Sequence, residues 1–524
     1  VIDPTLYFST YTGSAADNWG TTATFDSYKN TYTAGLVFSI GYPASTGAYD
    51  DNFSGNADIG IFKFDTTGSQ RLFATYLGGS YADMPHSMYV NTFDELVIFG
   101  TTGSADFPTS ADAFDTSFNG GRELAYLCFY NDAYYRNIYF PDGSDIFVSL
   151  FSSDGSTLRA STYVGGSGND GLNYRTRYNS SPLTIMQGND SLYYNYGDGA
   201  RGEVITDSQN NVYVGSTTMS YNFPTTAGCL QAEPGGRQDG VLLKLDYMLR
   251  NLLWSTYVGG NGDDAIYSID CDADYNVVAC GGTNSTDFLF DESSLQAAYG
   301  GGSADGLVVK LSSQGDALLG ATYFGSEVYD QCYFVRCGKQ GDVFLFGQTR
   351  APGGRMVYNA TYNTPGAGML LARLSGDLRT LRWSTVFGTP DVTPNLSPTA
   401  FATDICDRVY AVGWGRDFVG YNGVQWNTAG TWNMATTGDA FQSSTDGQDF
   451  YIVCVDNTAS QLEYASFFGE LHQESDDGGN DHVDGGTSRI DRLATLYQSV
   501  CASCGGHDGF PTTAGVWGRP KGER

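Results

Sequence analysis

The residues with the clearest potential for chemistry form an acidic insertion near the C-terminus, ESDDGGNDHVDGG at positions 474–486. Carboxylate oxygens are the ligands that calcium prefers, so this insertion predicts a calcium-binding loop. A solvated acidic loop without a bound ion is the alternative, because charged residues normally stay in water. The predicted ligands are Asp476, Asp477, Asp481 and Asp484.

Ten cysteines form a second reactive group, and Cys501 and Cys504 make a C-x-x-C motif. An even number of cysteines in a chain with the composition of a secreted protein favours structural disulfides, although their connectivity cannot be read from sequence. Zinc at the C-x-x-C is the alternative. It would need two more ligands, and His507 is one nearby candidate.

Aspartate recurs in two further sets, one just before apolar runs and one just after glycine-containing turns. A ring of carboxylates could bind cations or sugar hydroxyls. The interpretation we favour is that each aspartate accepts backbone hydrogen bonds and caps its own turn. The first set is Asp58, Asp145, Asp239, Asp305 and Asp449, and the second is Asp17, Asp83, Asp170, Asp264 and Asp330.

Three insertions, at about 122–143, 172–202 and 420–434, concentrate aromatic residues. Binding residues are commonly carried on loops held by a rigid scaffold, and tyrosine and tryptophan offer large amphipathic contact areas. The insertions therefore predict sites for glycans or protein partners, with packing of each loop onto its own scaffold as the alternative. The candidate residues are Tyr134, Tyr135, Tyr139, Tyr193, Tyr194, Tyr196, Trp426 and Trp432.

The scaffold is visible as an internal repeat. The segment LLWSTYVGGNGDDA at 252–265 has counterparts in RASTYVGGSGND at 159–170 and LLGATYFGSEVYD at 318–330. Seven copies occur, and each repeat unit contains four short apolar runs separated by turns rich in Gly, Asp, Asn and Pro. Such a pattern predicts an all-β fold, a seven-bladed β-propeller of four-stranded antiparallel blades.

The phase of the repeat predicts how the ring closes. Residues 5–12 read as a lone fourth strand, which would join the last blade, and the last blade lacks its third strand before the chain stops at Arg524. We therefore expect one propeller domain over 1–524. The missing strand would come either from chain that follows residue 524, together with further domains, or from a partner.

These motifs resemble a seven-bladed β-propeller repeat family of secreted bacterial proteins, most specifically over residues 251–316. The last unit, at 482–517, is similar to the last propeller blade of Bacteroidota surface proteins linked to gliding motility and type IX secretion. The resemblance implies a secreted or cell-surface location and continuation of the chain into further domains. It implies a fold more firmly than an activity.

The net charge and the absence of known catalytic motifs argue against several classes of function. The formal net charge of −31 argues against nucleic-acid partners, and no apolar run reaches the ~20 residues that a transmembrane helix needs. Catalytic motifs such as G-x-S-x-G, H-E-x-x-H and the P-loop are absent from the sequence. The leading hypothesis is a non-catalytic extracellular module that acts in adhesion or assembly through protein–protein contacts with other surface or secretion-system proteins. The alternative is a propeller that binds or cleaves surface glycans.

Overall fold

The computed structural model describes residues 5–130, 133–174, 183–185, 192–288, 293–416, 428–471, 480–504 and 509–518. Within them the chain forms strands and loops, with one short 3₁₀ turn at Asp198–Ala200. Six four-stranded antiparallel sheets follow one another along the chain as the blades of a propeller. The predicted all-β propeller with four-stranded blades is therefore confirmed.

The first three blades contain two inserted elements. Blade 1 consists of β1 (Asn18–Phe25), β2 (Thr31–Val37), β3 (Asp58–Phe64) and β4 (Arg71–Leu77). Blade 2 starts with β5 (Asp83–Val90) and β6 (Leu96–Thr102), continues through the inserted hairpin β7 (Leu124–Tyr130) and β8 (Ala133–Phe140), and ends with β9 (Asp145–Phe151) and β10 (Leu158–Val164). The short β11 (Leu183–Ile185) pairs with β7. Blade 3 consists of β12 (Glu203–Thr206), β13 (Val212–Thr218), β14 (Asp239–Leu245) and β15 (Leu252–Val258).

The next three blades are more regular. Blade 4 contains β16 (Asp264–Cys271), β17 (Val277–Thr283), β18 (Asp305–Leu311) and β19 (Leu318–Phe324). Blade 5 contains β20 (Asp330–Cys337), β21 (Val343–Thr349), β22 (Met369–Leu374) and β23 (Leu381–Phe387). Blade 6 contains β24 (Ser397–Thr403), β25 (Val409–Trp414), β26 (Phe450–Val455) and β27 (Leu462–Phe468).

The seventh repeat unit does not form a blade, so the predicted count of seven was wrong. It forms an interrupted hairpin over residues 480–504, here called the closing hairpin, with β28 (Asn480–His482), β29 (Arg489–Ile490), β30 (Leu496–Tyr497) and β31 (Cys501–Cys504). β28 pairs with β31 and β29 with β30. In blade 4 the corresponding aspartates, Asp264 and Asp272, mark the start of the first strand and the turn after it. Asp481 and Asp491 are two residues farther apart than that pair, and the ladder of the closing hairpin is interrupted between them. No third strand follows among the described residues.

The closing hairpin nevertheless completes the ring. The first strands of successive blades, β1, β5, β12, β16, β20 and β24, lie side by side around the axis, and β29 lies between β24 and β1. Thr22 of β1 donates to the carbonyl of Thr487 at 2.5 Å, and the Lys29 ammonium lies 2.8 Å from the Asp491 carboxylate. The last unit thus joins the first blade through side chains as well as backbone.

The predicted N-terminal strand 5–12 forms no regular strand, but it lies against the last unit. The Ser9 amide donates to Thr513 Oγ1 at 3.2 Å, and the Thr513 amide donates to the Ser9 carbonyl at 3.1 Å. Ser255 and Thr226 form the same pair of bonds in blade 3. The segment therefore takes the position of a fourth strand, and the described residues contain no third strand beside it whose ladder it could join.

Blade packing explains the long apolar runs. The whole of β17 is buried because its two faces contact different neighbours. Ala279 packs toward Leu242 of blade 3, whereas Val278 and Cys280 pack toward Val335 of blade 5. Each sheet thus contributes to two interfaces, and burial of both faces is the main source of stability for such an array.

The recurring Ser-Thr-Tyr motif fastens the long loop between the second and third strands of a blade. The Tyr257 hydroxyl donates to the Ser220 carbonyl at 2.7 Å and accepts from the Phe223 amide at 2.8 Å. Tyr163 and Tyr323 donate to the carbonyls of Ser104 and Ser285 in the same way. The tyrosine of the motif therefore holds the same loop in blades 2, 3 and 4, whereas blades 5 and 6 carry Val386 and Phe467 at this position. In the described part of the chain, no helix has the length and hydropathy needed to cross a bilayer.

Replacing Tyr257 with Phe tests this clamp. The variant leaves the buried Phe223 amide without its partner, so we expect the free energy of unfolding to fall by about 1–3 kcal/mol. Denaturant-induced unfolding, followed by intrinsic fluorescence, measures the change. Tyr221→Phe, at an exposed position one residue from the clamped loop carbonyl, serves as the control. Equal stability of the two variants would contradict the clamp.

Candidate functional site

The recurring aspartates meet in pairs where one blade joins the next. Asp58 begins β3 of blade 1 and Asp83 begins β5 of blade 2, and both are buried. A Cβ added to Gly78, the residue after β4, would lie 2.7 Å from Asp58 Oδ1 and 2.9 Å from Asp83 Oδ2. Two carboxylates therefore converge on this glycine. Gly165, with Asp145 and Asp170, repeats the arrangement at the next junction.

Eight of these ten aspartates also accept a hydrogen bond from a loop amide, as the structural interpretation predicted, namely Asp58, Asp83, Asp145, Asp170, Asp239, Asp264, Asp305 and Asp330. Asp83 Oδ2 accepts from the Gly79 amide at 2.7 Å and from Ser104 Oγ at 3.1 Å. Asp264 accepts in the same way from the Gly260 amide and Ser285 Oγ, at 2.8 and 2.7 Å. In the described structure, the second carboxylate oxygen has no hydrogen-bond partner in six aspartates, namely Asp58, Asp83, Asp239, Asp264, Asp305 and Asp330, and neither oxygen of Asp449 has one. Asp17, by contrast, is exposed.

Burial raises the pKa of these carboxyl groups into the neutral range. Loss of hydration is the largest cause, and the neighbouring carboxylate adds to it. The pKa of Asp83 rises to about 8, with Asp58 as its charged neighbour, and that of Asp145 also rises to about 8, with Asp170 as its neighbour. Asp239 and Asp305 rise to about 7. The junctions therefore hold protons near neutral pH.

The centre of the ring is crossed by a buried ion cluster. Glu203, on the first strand of blade 3, is fully buried and lies 2.9 Å from the Arg336 guanidinium of blade 5. Arg489 of the closing hairpin donates to the same carboxylate, and its other nitrogen donates to Ser87 Oγ of blade 2 at 3.2 Å. Ser268 of blade 4 donates to Glu203 at 2.5 Å. Burial alone would raise the pKa of Glu203, but Arg336 and Arg489 outweigh it and hold the pKa below its usual value.

One mouth of the ring is filled by the second insertion. Asp198 accepts from Arg201 at 2.6 Å and from the Tyr333 hydroxyl of blade 5 at 2.8 Å. Asn195 donates to Gln348 Oε1 at 3.1 Å and receives a bond from its amide at 2.9 Å. Arg201 reaches on to blade 6, where it donates to the Pro398 carbonyl. Residues 192–201 therefore close this mouth with a buried, hydrogen-bonded layer.

The predicted aromatic residues separate into buried, exposed and undescribed ones. Tyr193 and Tyr194 are buried, and Tyr194 stacks on Tyr329 with ring centroids 3.8 Å apart. Their rings pack the insertion onto the ring, as the alternative interpretation proposed. Trp432 is 46% exposed, while Tyr139 is partly buried and its hydroxyl donates to Glu123. The side chains of Tyr134 and Tyr135, and all of Trp426, lie outside the described residues.

Of the four predicted calcium ligands, the structure describes Asp481 and Asp484. Asp476 and Asp477 lie outside the described residues. Asp481 is buried at a blade junction and accepts from the Glu470 amide at 2.7 Å. Asp484 is buried beside His482 and Cys501. Among the described residues, seven cysteines carry free thiols and so form none of the expected disulfides, namely Cys229, Cys271, Cys280, Cys332, Cys337, Cys406 and Cys454.

Sequence reasoning missed two features. Glu203, Arg336 and Arg489 come from three different units, and the one available signal was a charge inside an otherwise apolar first strand. The second feature is a row of exposed apolar side chains on the face formed by the turns between first and second strands. Tyr28 and Phe93 there are 73% and 62% exposed.

The exposed residues occupy one position of a repeated five-residue turn. Asp26 Oδ1 accepts from the Tyr28 and Asn30 amides, and Asp491 Oδ1 accepts from those of Leu493 and Thr495. Asn91 does the same for Phe93 and Glu95. These three turns are neighbours, joined by the contacts Lys29–Asp491 and Ser27–Asp94. Tyr28, Phe93 and Leu493 are here called the apolar turn patch.

No protein-family model and no curated protein sequence matches the chain. Among solved structures, the chain is similar to a protein of unknown function from Dyadobacter fermentans, with 10% identity, a TM-score of 0.35, and coverage of 79% of this chain and 94% of that one. It is also similar to a protein of unknown function from Bacteroides caccae, with 8% identity, a TM-score of 0.32, and coverage of 85% and 94%. An ulvan lyase of polysaccharide lyase family 25 is a third, with 10% identity, a TM-score of 0.40, and coverage of 94% and 95%. Function therefore has to be inferred from this chain's own residues.

Because the aspartate pairs hold protons in the folded state, we expect the free energy of unfolding to fall as the pH rises. In the folded state these carboxyl groups keep protons that the unfolded chain, with an aspartate pKa near 3.9, has already released. Each extra proton held lowers the free energy of unfolding by about 1.4 kcal/mol per pH unit between the two pKa values. We expect the melting temperature to fall by several degrees between about pH 5 and pH 8.5, in scanning calorimetry at fixed ionic strength.

Asp58→Asn tests one pair within this set. An amide cannot ionise, so the variant should lose less stability than the wild type over the same pH interval. Asp51→Asn, at an exposed position in the same loop, should leave the slope unchanged. A wild-type melting temperature that rises with pH, or equal slopes in both variants, would contradict proton storage at the junctions.

Glu203→Gln tests the central ion cluster. Removing one charge leaves Arg336 and Arg489 buried without their anion, so we expect the free energy of unfolding to fall by about 3–5 kcal/mol. Glu233→Gln, at an exposed position in blade 3, should change it by less than about 0.5 kcal/mol. Urea unfolding curves of both variants measure the difference, and similar midpoints would show that the cluster contributes little.

Proposed function

We propose that this protein is a non-catalytic binding module of a secreted or cell-surface protein. The observation that carries the proposal is the filled interior of the ring. Ligand sites commonly lie in concave clefts and at the mouths of closed β-structures. Here residues 192–201 fill one mouth, and the Glu203 cluster crosses the centre.

The charged groups inside the ring are arranged for structure. Glu203 accepts from two guanidinium groups, and Asp198 accepts from Arg201 and Tyr333. A general base needs a lone pair within reach of a substrate proton. Carboxylates that are buried and already bonded to arginine do not offer one, which supports binding over glycan cleavage.

The apolar turn patch supports a protein partner. Exposed apolar side chains scattered singly are ordinary, but several of them on neighbouring turns of one face are typical of an interaction site. Third positions of the corresponding turns in blades 3, 4 and 5 hold the polar residues Gln209, Asp274 and Gln340. Apolar side chains therefore occur at this position on three neighbouring turns around the ring closure, where tyrosine and phenylalanine can act as anchors.

The family resemblance of the repeat supports an extracellular setting. In that setting the ring would hold the patch rigidly and present it to another surface or secretion-system protein, as adhesion or assembly requires. Rigid presentation reduces the entropy lost on binding. The glycan-binding or glycan-cleaving alternative becomes an outcome of the test.

Site-specific photo-crosslinking tests the proposal. A photoreactive phenylalanine analogue is placed at Phe93 or, as the matched control, at Gln209 in the same turn position of the next blade. On the surface of the producing cells, we expect position 93 to capture a discrete protein that mass spectrometry identifies, and position 209 to capture far less. Replacing Tyr28, Phe93 and Leu493 with Ser should then weaken binding of that purified protein by about tenfold or more.

Two results would overturn the proposal. One is cleavage of a polysaccharide panel by the purified protein, detected as new reducing ends or unsaturated uronates. The other is equal cross-linking from positions 93 and 209. The serine variant must keep the wild-type melting temperature, which we expect because the turn hydrogen bonds come from Asp26, Asn91 and Asp491.

A further inference from the structure

The interrupted centre of the closing hairpin brings together three side chains that bind metals. His482, Asp484 and Cys501 each offer one ligand atom, and these three atoms all lie within 4.8 Å of one another. All three residues are buried, with Asp484 6% and Cys501 8% exposed. Because the cluster is shielded from water, it differs from the surface acidic groups that commonly occur without an ion.

The hairpin register produces this convergence. His482 of β28 pairs directly with Cys501 of β31, so the two side chains leave neighbouring backbones on facing strands. Asp484 follows His482 by two positions, which in an extended chain returns its side chain to the same side. The two extra residues between Asp481 and Asp491 fall just beyond this pair, where the β28–β31 ladder ends.

Asp484 has an oxygen without a hydrogen-bond partner. Its Oδ1 accepts from the Tyr196 hydroxyl at 2.6 Å and lies 3.2 Å from His482 Nε2. Its Oδ2 is buried and bonded to nothing in the described structure. A buried carboxylate oxygen without a hydrogen-bond donor or a cation lowers the stability of the fold, so a bound cation would stabilise this site.

We propose that His482, Asp484 and Cys501 bind a zinc ion. Imidazole nitrogen, thiolate sulfur and carboxylate oxygen are together typical of zinc and unlike the all-oxygen sites of calcium. One thiolate and one carboxylate balance the two charges of Zn²⁺, which suits a buried site. Zinc bonds of about 2.0–2.3 Å place tetrahedral ligands about 3.5 Å apart, so modest side-chain movements complete the geometry.

The surroundings of the cluster are suited to holding these ligands. Tyr196 comes from the insertion that fills the mouth of the ring, and its ring packs edge-on against His482 and Trp414. Its hydrogen bond to Asp484 orients the carboxylate, as partners behind metal ligands do elsewhere. The ion would thus link the two strands of the closing hairpin at the last pair of the β28–β31 ladder, next to the point where the ladder is interrupted.

Metal analysis of the full chain tests the proposal. The protein is purified with a reducing agent, loaded with zinc, freed of excess metal and measured by plasma mass spectrometry. We expect one zinc per chain and a cobalt derivative with the visible bands of a tetrahedral site that includes sulfur. His482→Asn and Cys501→Ser should each weaken zinc binding by about 100-fold or more in competition with a chelator.

Cys406→Ser, which removes an exposed thiol in the turn after β24, is the matched control and should bind zinc like the wild type. Zinc should raise the melting temperature of the wild type and this control by a few degrees and leave the two ligand variants unchanged. Even if Cys501→Ser folds poorly, the wild-type stoichiometry and the cobalt spectrum decide the matter. Absence of stoichiometric zinc, equal binding by both serine variants, or a Cys501 disulfide in the protein as isolated would overturn the proposal.

Discussion

A ring of stacked sheets is stable only if its last sheet contacts its first, and this constraint governs the whole molecule. Six blades bury both faces against neighbours, but a gap between blade 6 and blade 1 would expose one face of each. The chain fills that gap with a hairpin that is too small to be a blade. Specific contacts therefore compensate for the smaller buried area. Arg489 forms an ion pair with Glu203, Lys29 forms one with Asp491, and the Thr487 carbonyl accepts a hydrogen bond from Thr22. The N-terminal segment adds the Ser9–Thr513 bonds of a fourth strand without forming one.

Sequence patterns predicted the regular part of this design well and the irregular part poorly. The Ser-Thr-Tyr repeat and its glycine turns gave the strand order within each blade, because every copy solves the same local problem. The count of seven blades failed because one motif does not guarantee four strands. In the last unit, two extra residues before Asp491 separate the short β28–β31 ladder from the short β29–β30 ladder. No local pattern shows that consequence.

The candidate sites illustrate the same limit. The interpretation of the aspartates as turn caps holds for most of them, since they accept from loop amides, yet their pairing across blade junctions depends on how the blades stack. Tyr193 and Tyr194 looked like binding residues because insertions in repeats usually face solvent, but this insertion turns inward and fills the ring. His482 and Cys501 are 19 positions apart, and they became neighbours through strand register that sequence alone did not indicate. The buried side chains of the ring thus serve packing and hydrogen bonding, and the side chains that differ in polarity from blade to blade lie on the turns.

The aspartate pairs also affect how the protein behaves as a charged particle. Its formal charge of −31 treats every carboxyl group as ionised. Burial and mutual repulsion keep protons on several of them near neutral pH, including Asp83 and Asp145. The chain therefore takes up protons from the solvent as it folds. The finished ring is less acidic than its sequence suggests, so its electrophoretic mobility and its repulsion of acidic partners are smaller than a residue count implies.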